Sequence, residues 1–217
     1  RYRMQSKIIL LTTAILIFVP AIFFFVCDFG QVSIGKRMLL SLFQSVTTRT
    51  AGFNTADLSS MTEAGQAIMI LLMMIGGSPS STAGGMKTTT AAVLLLNAFA
   101  TFRSREDAGA FGRRFDGQVI KNAATIAMLY FVLFFFGGIT ISVYEGLPLQ
   151  LCLYEAASAV GTAGLTLGIT PGLHILSRLI LIVLMYLGRV GGLTLIYAVL
   201  SRRNTNAKMP LEKITVG

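Results

Sequence analysis

The feature that most constrains the fold is a run of 19 residues without a charged side chain, residues 8–26. A helix of about 20 apolar residues crosses the ~30 Å hydrocarbon core of a bilayer. Pro20 lies inside the run, and membrane helices tolerate an internal proline better than soluble helices do. Basic residues precede the run, as in a signal peptide, but the run is too long and no small-residue cleavage site follows it. The sequence therefore predicts a membrane-spanning helix.

The composition argues against a soluble domain. Only 12% of the 217 residues are charged and 54% are hydrophobic, with a mean hydropathy of +0.73, whereas about 25% of a soluble domain is charged. The net charge of +9 does not indicate nucleic-acid binding, because the basic residues stand at the ends of apolar segments without interleaved aromatic residues. Cys27 and Cys152 lie in or beside apolar runs, which favours membrane-embedded thiols over a disulfide.

Long and short apolar segments alternate along the chain. Three long segments are predicted to cross the bilayer: residues 8–26, 118–143 and 176–200. Two amphipathic segments are too short to cross it: residues 34–50 and 149–160. One further apolar run, residues 64–75, breaks at residues 76–85 and resumes over residues 87–102. The last long segment is interrupted at residues 188–192.

The two halves of the chain repeat one another. Adding 112 to a residue number maps Ile8 onto Ile120 and the Thr-Ala-Gly motif that begins at Thr50 onto the one that begins at Thr162. Beyond the break the offset is 107, so the first half carries five extra residues there. Internal repeats of this kind indicate repeated structural units. The predicted fold is therefore an all-α integral membrane protein of two helix–pore-loop–helix repeats, similar to potassium channels, with the second helix of the first repeat broken by a loop.

The basic residues predict the orientation in the membrane. Twelve of the 18 lysines and arginines lie in the N-terminus, the connector with its flank and the C-terminal tail, which places both termini in the cytoplasm. Each half then crosses twice, and each short segment enters and leaves on the outer side as a re-entrant loop. The predicted domains are the first repeat (residues 1–103), a cytoplasmic connector (104–117), the second repeat (118–201) and a cytoplasmic tail (202–217).

The repeated motifs predict an ion filter. A glycine-centred, extended backbone at membrane depth is tolerated only where it is buried in protein or lines a water-filled cavity, and a ring of backbone carbonyls can replace the hydration shell of K⁺. Ordinary glycine turns remain the alternative. The candidate ion-binding residues form the first glycine turn (residues 50–54) and the second glycine turn (residues 162–166): Thr50, Ala51, Gly52, Phe53, Asn54, Thr162, Ala163, Gly164, Leu165 and Thr166.

The break in the first repeat predicts a gate. Ten consecutive small residues or prolines do not continue a stable helix, so we expect a loop below the filter that obstructs ions. A helix kink is the alternative, although a kink does not need five inserted residues. The glycine-rich loop comprises Gly76, Gly77, Ser78, Pro79, Ser80, Ser81, Thr82, Ala83, Gly84 and Gly85.

Four charged residues lie inside or beside apolar segments, where each costs at least ~2.5–3.5 kcal/mol if it faces lipid. Lys87 and Arg189 flank the predicted gate, and snorkelling of the Lys87 side chain towards the interface is the alternative. Arg49 and Glu155 fall in the predicted pore helices, which favours a salt bridge or hydrogen bonds to the filter backbone. His174, the single histidine, is expected at the surface of an outer loop.

These motifs resemble the Trk/Ktr/HKT superfamily of potassium transporters, and residues 214–217 are most similar to its bacterial KtrB group. The resemblance covers nearly the whole chain. It implies a bacterial cell membrane protein with K⁺ bound at filter carbonyls, Na⁺ as a candidate activator and no covalently bound cofactor. It also implies an arginine near the gate at Arg189. The implied partners are membrane lipid, an N-terminal half with two further repeats, a second pore subunit in a homodimer and a cytosolic nucleotide-binding ring.

Two other functions are compatible with parts of the sequence. A secondary transporter with broken helices is one, but such proteins commonly contain inverted repeats, whereas these repeats share one orientation. An intramembrane hydrolase with Ser78 as nucleophile is the other. The residues around Ser78 do not match the G-x-S-x-G motif of such hydrolases. His174, the single histidine, is predicted in an outer loop that is distant from Ser78. The sequence therefore predicts a pore subunit rather than an enzyme.

Overall fold

The computed structural model describes residues 2–105 and 107–191. The predicted tail, the end of the last predicted span and Gly192 lie outside the described residues. The described part contains seven α-helices: α1 (Met4–Cys27), α2 (Ile34–Thr47), α3 (Glu63–Met74), α4 (Thr88–Phe102), α5 (Gly117–Glu145), α6 (Leu149–Gly161) and α7 (Ile175–Val190). Short 3₁₀ turns cover Leu58–Ser60 and Thr170–Gly172. The predicted helical fold is confirmed.

Two helices, α1 and α5, are long and apolar enough to cross a membrane by length and composition. The short helices α2 and α6 have 14 and 13 residues, or about 21 and 20 Å at 1.5 Å per residue. A hydrocarbon core of ~30 Å exceeds both lengths. Each of the two long helices is thus followed by one of these short helices, as the hydrophobic segments predicted.

Side-chain caps fix where the helices begin and end. Thr62 caps α3, since its hydroxyl accepts the Gly65 N–H at 3.0 Å, and Asp28 at the end of α1 accepts both the N–H and the hydroxyl of Thr62 at 2.8 Å. Asp116 caps α5 by accepting the Gln118 N–H. Gly146 ends α5 with φ +66°, a left-handed conformation that glycine adopts without strain.

Two parts of the sequence prediction need correction. The interruption predicted at residues 188–192 begins later than expected, because Gly188, Arg189 and Val190 continue α7; a single internal glycine is tolerated in a packed helix. The helix then ends at Val190, and Gly191 follows with φ +86°, so this part of the prediction is confirmed. Arg49 lies two residues beyond the end of α2 and is not part of that helix. The connector also contains a feature that was not predicted, a small antiparallel hairpin of β1 (Gly109–Ala110) and β2 (Arg113–Arg114).

Helix α6 lies at the centre of the fold. All of its residues from 154 to 161 are buried, and it packs against α3, α5 and α7. Glycines permit this close approach: Gly161 lies against the Met73 carbonyl group of α3, and Gly188 of α7 lies against the Val160 carbonyl group. A methyl group at either glycine would overlap a backbone oxygen. The positions of α3, α6 and α7 therefore depend on residues without side chains.

Substituting Gly188 by alanine should lower the thermal stability of the full-length parent protein in detergent. The new Cβ would lie 2.8 Å from the Val160 carbonyl carbon, and overpacking of this kind costs about 1–3 kcal/mol. Gly137→Ala is the matched control, because its Cβ would meet a flexible side chain, the Leu184 Cδ1 atom at 2.6 Å. Equal losses of Tm in the two variants would contradict this account of the packing.

Candidate functional site

The two glycine turns have the same unusual backbone. In the first, φ is +69° at Thr50 and +75° at Gly52; in the second, φ is +52° at Thr162 and +84° at Gly164. These are equivalent positions under the offset of 112. A β-branched residue with positive φ is a genuine outlier, and such strain persists where the surrounding structure imposes it, often at functional sites. The repeat therefore extends from sequence to backbone conformation.

The structure brings the two glycine turns into contact. A Cβ built on Gly52 would overlap the Ala163 carbonyl oxygen and lie 3.7 Å from the Gly164 Cα atom. A Cβ on Gly164 would lie 3.9 Å from the Gly52 Cα atom. Gly52 is thus required both by its φ and by its neighbour. The two predicted filter segments, one from each half of the chain, therefore lie side by side.

The first glycine turn is held by the end of α2. The N–H groups of Ala51 and Gly52 both donate to the Thr47 carbonyl at 3.1 Å, and the buried Thr47 hydroxyl donates to the Phe53 carbonyl at 2.6 Å. Phe53 itself is 69% exposed. One threonine of the preceding helix therefore fixes both ends of the turn.

The second glycine turn is held by a buried carboxylate. Glu155 of α6 is 4% exposed; one of its oxygens accepts the Thr166 hydroxyl at 2.5 Å and the Leu167 N–H at 3.1 Å. The other oxygen accepts the Thr170 hydroxyl at 2.7 Å. The predicted hydrogen bonding of Glu155 to this segment is confirmed. Sequence reasoning missed Thr170, which lies four residues past the turn and repeats no motif of the first half.

The break between α3 and α4 is a loop closed at its base. The Gly76 N–H donates to the Met86 carbonyl at 2.8 Å, the Met86 N–H donates to the Met74 carbonyl at 3.1 Å, and the Thr88 N–H donates to the Gly77 carbonyl at 3.1 Å. These bonds form a short parallel bridge between Ile75 and Met86. A closed loop of this kind is not a helix kink, so the kink alternative is wrong.

The glycine-rich loop contacts the second glycine turn. The Gly84 N–H donates to the Thr162 hydroxyl at 3.1 Å, and the neighbouring Gly85 N–H donates to the Gly188 carbonyl of α7 at 3.3 Å. A Cβ on Gly84 would lie 2.6 Å from the Thr162 Cγ2 atom, so only glycine fits. The opposite part of the loop, residues 80–82, is exposed. One side of the loop therefore lies directly against the Thr-Ala-Gly motif.

Two cationic side chains donate hydrogen bonds to this loop, and a third interacts with one of them. The Lys87 ammonium donates to the Ala83 carbonyl, so it faces the loop, and the snorkelling alternative is wrong. Arg189 interacts with Lys87 through like-charge repulsion. Arg49 donates to the Gly76 carbonyl at 3.3 Å. The predicted salt bridge or filter contact of Arg49 is therefore wrong, since it binds the loop.

The remaining polar groups lie elsewhere. His174 is exposed, as predicted, and its Nδ1 atom pairs with the Glu145 carboxylate at 2.8 Å at the junction of α5 and α7. Within residues 2–105 and 107–191, no group of three or more His, Cys, Asp or Glu side chains could hold a metal ion.

Comparison with known families defines the class of this chain, the cation transport proteins. The family described as "TrkH: Cation transport protein" matches residues 4–206, and the chain belongs to that family. The resemblance drawn from the motifs is thus confirmed. Since this is a family of transporters, the hydrolase alternative has no support from it.

Individual relatives agree with this assignment. The chain is 36% identical to "Potassium/sodium uptake protein NtpJ" of Enterococcus hirae over 99% of its length. It is 32% identical to "Ktr system potassium uptake protein B" of Bacillus subtilis over its whole length. In both cases it spans about 50% of the relative. The solved potassium transporter TrkH of Vibrio parahaemolyticus shares the fold, with a TM-score of 0.71, 21% identity and coverage of 90% of this chain and 44% of that one.

Replacing Glu155 by glutamine should loosen the second glycine turn. The amide keeps the shape of the side chain but has one acceptor oxygen for three donors, and a buried unsatisfied group costs about 1–3 kcal/mol. We expect faster hydrogen exchange at the Leu167 and Gly168 amides, measured by mass spectrometry. Glu145→Gln is the control, because Glu145 accepts the His174 N–H at 2.9 Å instead. Unchanged exchange in Glu155→Gln would contradict the anchoring role.

Proposed function

We propose that this chain forms part of the pore of a bacterial potassium uptake system. K⁺ passes along the carbonyl oxygens of the first and second glycine turns, and the glycine-rich loop is the gate. The observation that carries this proposal is the contact between Gly52 and Gly164, because it joins two equivalent, strained backbones from separate halves at one place.

The backbone of the turns supports a role in ion binding. Positive φ alternates with negative φ along residues 50–52 and 162–164, and this alternation turns successive carbonyl groups towards one side. Each turn follows the C-terminal end of a short helix, where the partial negative charge of the helix favours a cation. A desolvated K⁺ needs such oxygens in place of its hydration shell. The relatives described above are also named as potassium uptake proteins.

The difference in burial between the two repeats supports a pore made of more than two units. Ala163 and Leu165 are 3% exposed, whereas Phe53 at the position equivalent to Leu165 is 69% exposed. Helix α2 likewise exposes Ile34, Met38 and Leu39, while residues 154–161 of α6 are all buried. Two further repeats in the other half of a full-length parent would cover these surfaces and close the ring. This agrees with a chain that spans about half of its relatives.

The surroundings of the glycine-rich loop support a gating role. The loop meets the second glycine turn at Thr162, its helix-proximal end, where an ion leaving the filter would pass. Lys87 and Arg189 place positive charge beside the loop, and like charges repel a cation strongly where water is excluded. Movement of the loop away from Thr162 would remove both the steric and the electrostatic barrier.

The orientation and the assembly complete the proposal. The N-terminus, the connector and the tail face the cytoplasm, and the protein functions as a homodimer with a cytosolic nucleotide-binding ring. The domains are those predicted, with residues 1–103 and 118–201 as the two repeats. Na⁺ is a candidate activator, since one relative is named for both potassium and sodium uptake. The two repeats have the same order of elements and the same φ signs at equivalent positions of the glycine turns. Repeats in one orientation, rather than inverted repeats, favour a pore over a secondary transporter.

Substitution of Gly52 by alanine tests the filter. The full-length parent is reconstituted in liposomes, and uptake of ⁸⁶Rb⁺ is measured. We expect the rate of ⁸⁶Rb⁺ uptake to fall about tenfold or more, because the new methyl group overlaps the Ala163 carbonyl and distorts the turn. An increase of about 1.4 kcal/mol in the free-energy barrier to ion passage is enough for a tenfold slower rate. Gly146→Ala is the control, since it has a similar φ of +66° but open space around it. Equal uptake by the two variants would refute the proposed filter.

Deletion of residues 78–82 tests the gate. The deletion is geometrically compatible with the loop base, because a Cβ on Gly77 would already lie 2.7 Å from the Ala83 Cβ atom. We expect faster ⁸⁶Rb⁺ uptake in the deletion variant and also in Arg189→Ala, which removes positive charge beside the loop. Ser80→Ala, at the exposed tip, should match the wild type. Unchanged uptake in the deletion variant would rule out gating by this loop.

A further inference from the structure

A basic cavity lies between the start of α1 and the hairpin of the connector. It has a volume of about 380 Å³ and is lined by Tyr2, Arg3, Met4, Lys7, Phe111 and Arg113. Three of these residues are cationic, and none of the described residues that line the cavity is acidic. The nearby Arg114 pairs with Asp107 at 3.6 Å. The cavity therefore concentrates uncompensated positive charge at the end of a predicted span.

The hairpin presents its part of this cavity in a fixed geometry. Phe111 and Gly112 join β1 to β2, and both have positive φ, +53° and +74°, as a two-residue type I′ turn requires. A bulky residue such as Phe111 adopts this conformation only against steric strain between its Cβ atom and the backbone. Its ring lies under Lys7, whose Nζ atom is 5.3 Å from the ring centroid. The turn thus positions an aromatic ring and Arg113 beside α1.

The start of α1 adds to the positive potential. Arg3 is the N-cap residue and makes no side-chain capping bond, and the first turn of this 24-residue helix contains no acidic residue. The free N–H groups of a helix N-terminus carry a partial positive charge that favours anions. This contribution acts together with the three cationic side chains, which line the same cavity.

An adjoining groove offers apolar contacts beside the basic cavity. It has a volume of about 300 Å³, shares Met4 with the basic cavity, and has Ile8, Val93 and Val119 among its lining residues. Asp116 and Arg114 also line this second groove. A ligand that fills both spaces needs an anionic group next to a hydrocarbon chain.

We propose that the basic cavity binds the headgroup of an anionic phospholipid, with one acyl chain along the adjoining groove. The phosphodiester accepts hydrogen bonds from Arg3, Lys7 and Arg113, and the chain packs on Met4 and Ile8. Each basic residue beside a membrane raises the affinity for anionic lipid about fivefold, which corresponds to roughly 1 kcal/mol. A soluble phosphate would use the cations but leave the groove unfilled, so the combination favours a lipid.

The test measures lipid retained by the full-length parent protein. Binding of phosphatidylglycerol, phosphatidylcholine and inorganic phosphate is measured by native mass spectrometry in detergent. The triple variant R3Q/K7Q/R113Q should bind phosphatidylglycerol about tenfold or more weakly. The control R103Q/R105Q/K121Q makes the same charge change near the same end of the helices but outside the cavity, and it should bind like the wild type. The conservative variant R3K/R113K should retain most of the affinity.

Four outcomes would overturn the proposal. These are unchanged phosphatidylglycerol binding in the cavity variant, equal losses in the control, equal retention of phosphatidylcholine, and displacement of the lipid by inorganic phosphate at similar concentration. The proposal would also be overturned if the triple variant lost binding of a cytosolic protein but kept its affinity for phosphatidylglycerol. That result would assign the basic cavity to the protein partner. If the triple variant has a lowered Tm, the single variant Lys7→Gln is compared with the wild type instead, because Lys7 is exposed. This variant should bind phosphatidylglycerol about fivefold more weakly.

Discussion

The architecture depends on satisfying backbone groups where the chain is not helical. At membrane depth no water is available to pair with a bare N–H or carbonyl group, so irregular segments must bond to protein or face a water-filled path. Here the Thr47 carbonyl, the Glu155 carboxylate and the Thr162 hydroxyl serve the glycine turns and the glycine-rich loop. Each irregular segment is thereby held by a neighbouring element, and the turns and the loop form one connected unit.

Glycine determines how closely these elements approach. Gly52 lies against Ala163, Gly84 against Thr162 and Gly188 against Val160, in each case at a distance that leaves no room for a methyl group. The result is a dense centre around α6, where Ala156, Ala157 and Ala159 are buried beside large side chains such as Tyr154 and Met73. Close backbone approach by small residues is the usual basis of helix packing in membranes. Gly52 in particular allows the first glycine turn to lie against the Ala163 carbonyl group of the second.

Much of this could be predicted from the sequence because hydrophobic length, glycine breaks and an internal repeat are all local signals. They predicted the seven helical segments, both glycine turns and the loop between α3 and α4. Hydrogen bonds between residues that are distant in the sequence have no such local signal. Arg49 bonds to Gly76 rather than to the filter, and Thr170 joins Glu155 although it belongs to no motif. The hairpin was missed because its Phe-Gly turn departs from the usual Asn-Gly pattern, and α7 continues through Gly188 because packing overrides propensity.

The closed base of the glycine-rich loop has a consequence for how such proteins diverge. Because the bridge between Ile75 and Met86 is complete without residues 78–82, the number of residues above it can change without any shift of α3 or α4. Insertions and deletions among related proteins are thus expected to concentrate at this one position, while the helices on either side of it keep their packing and evolve under separate constraints.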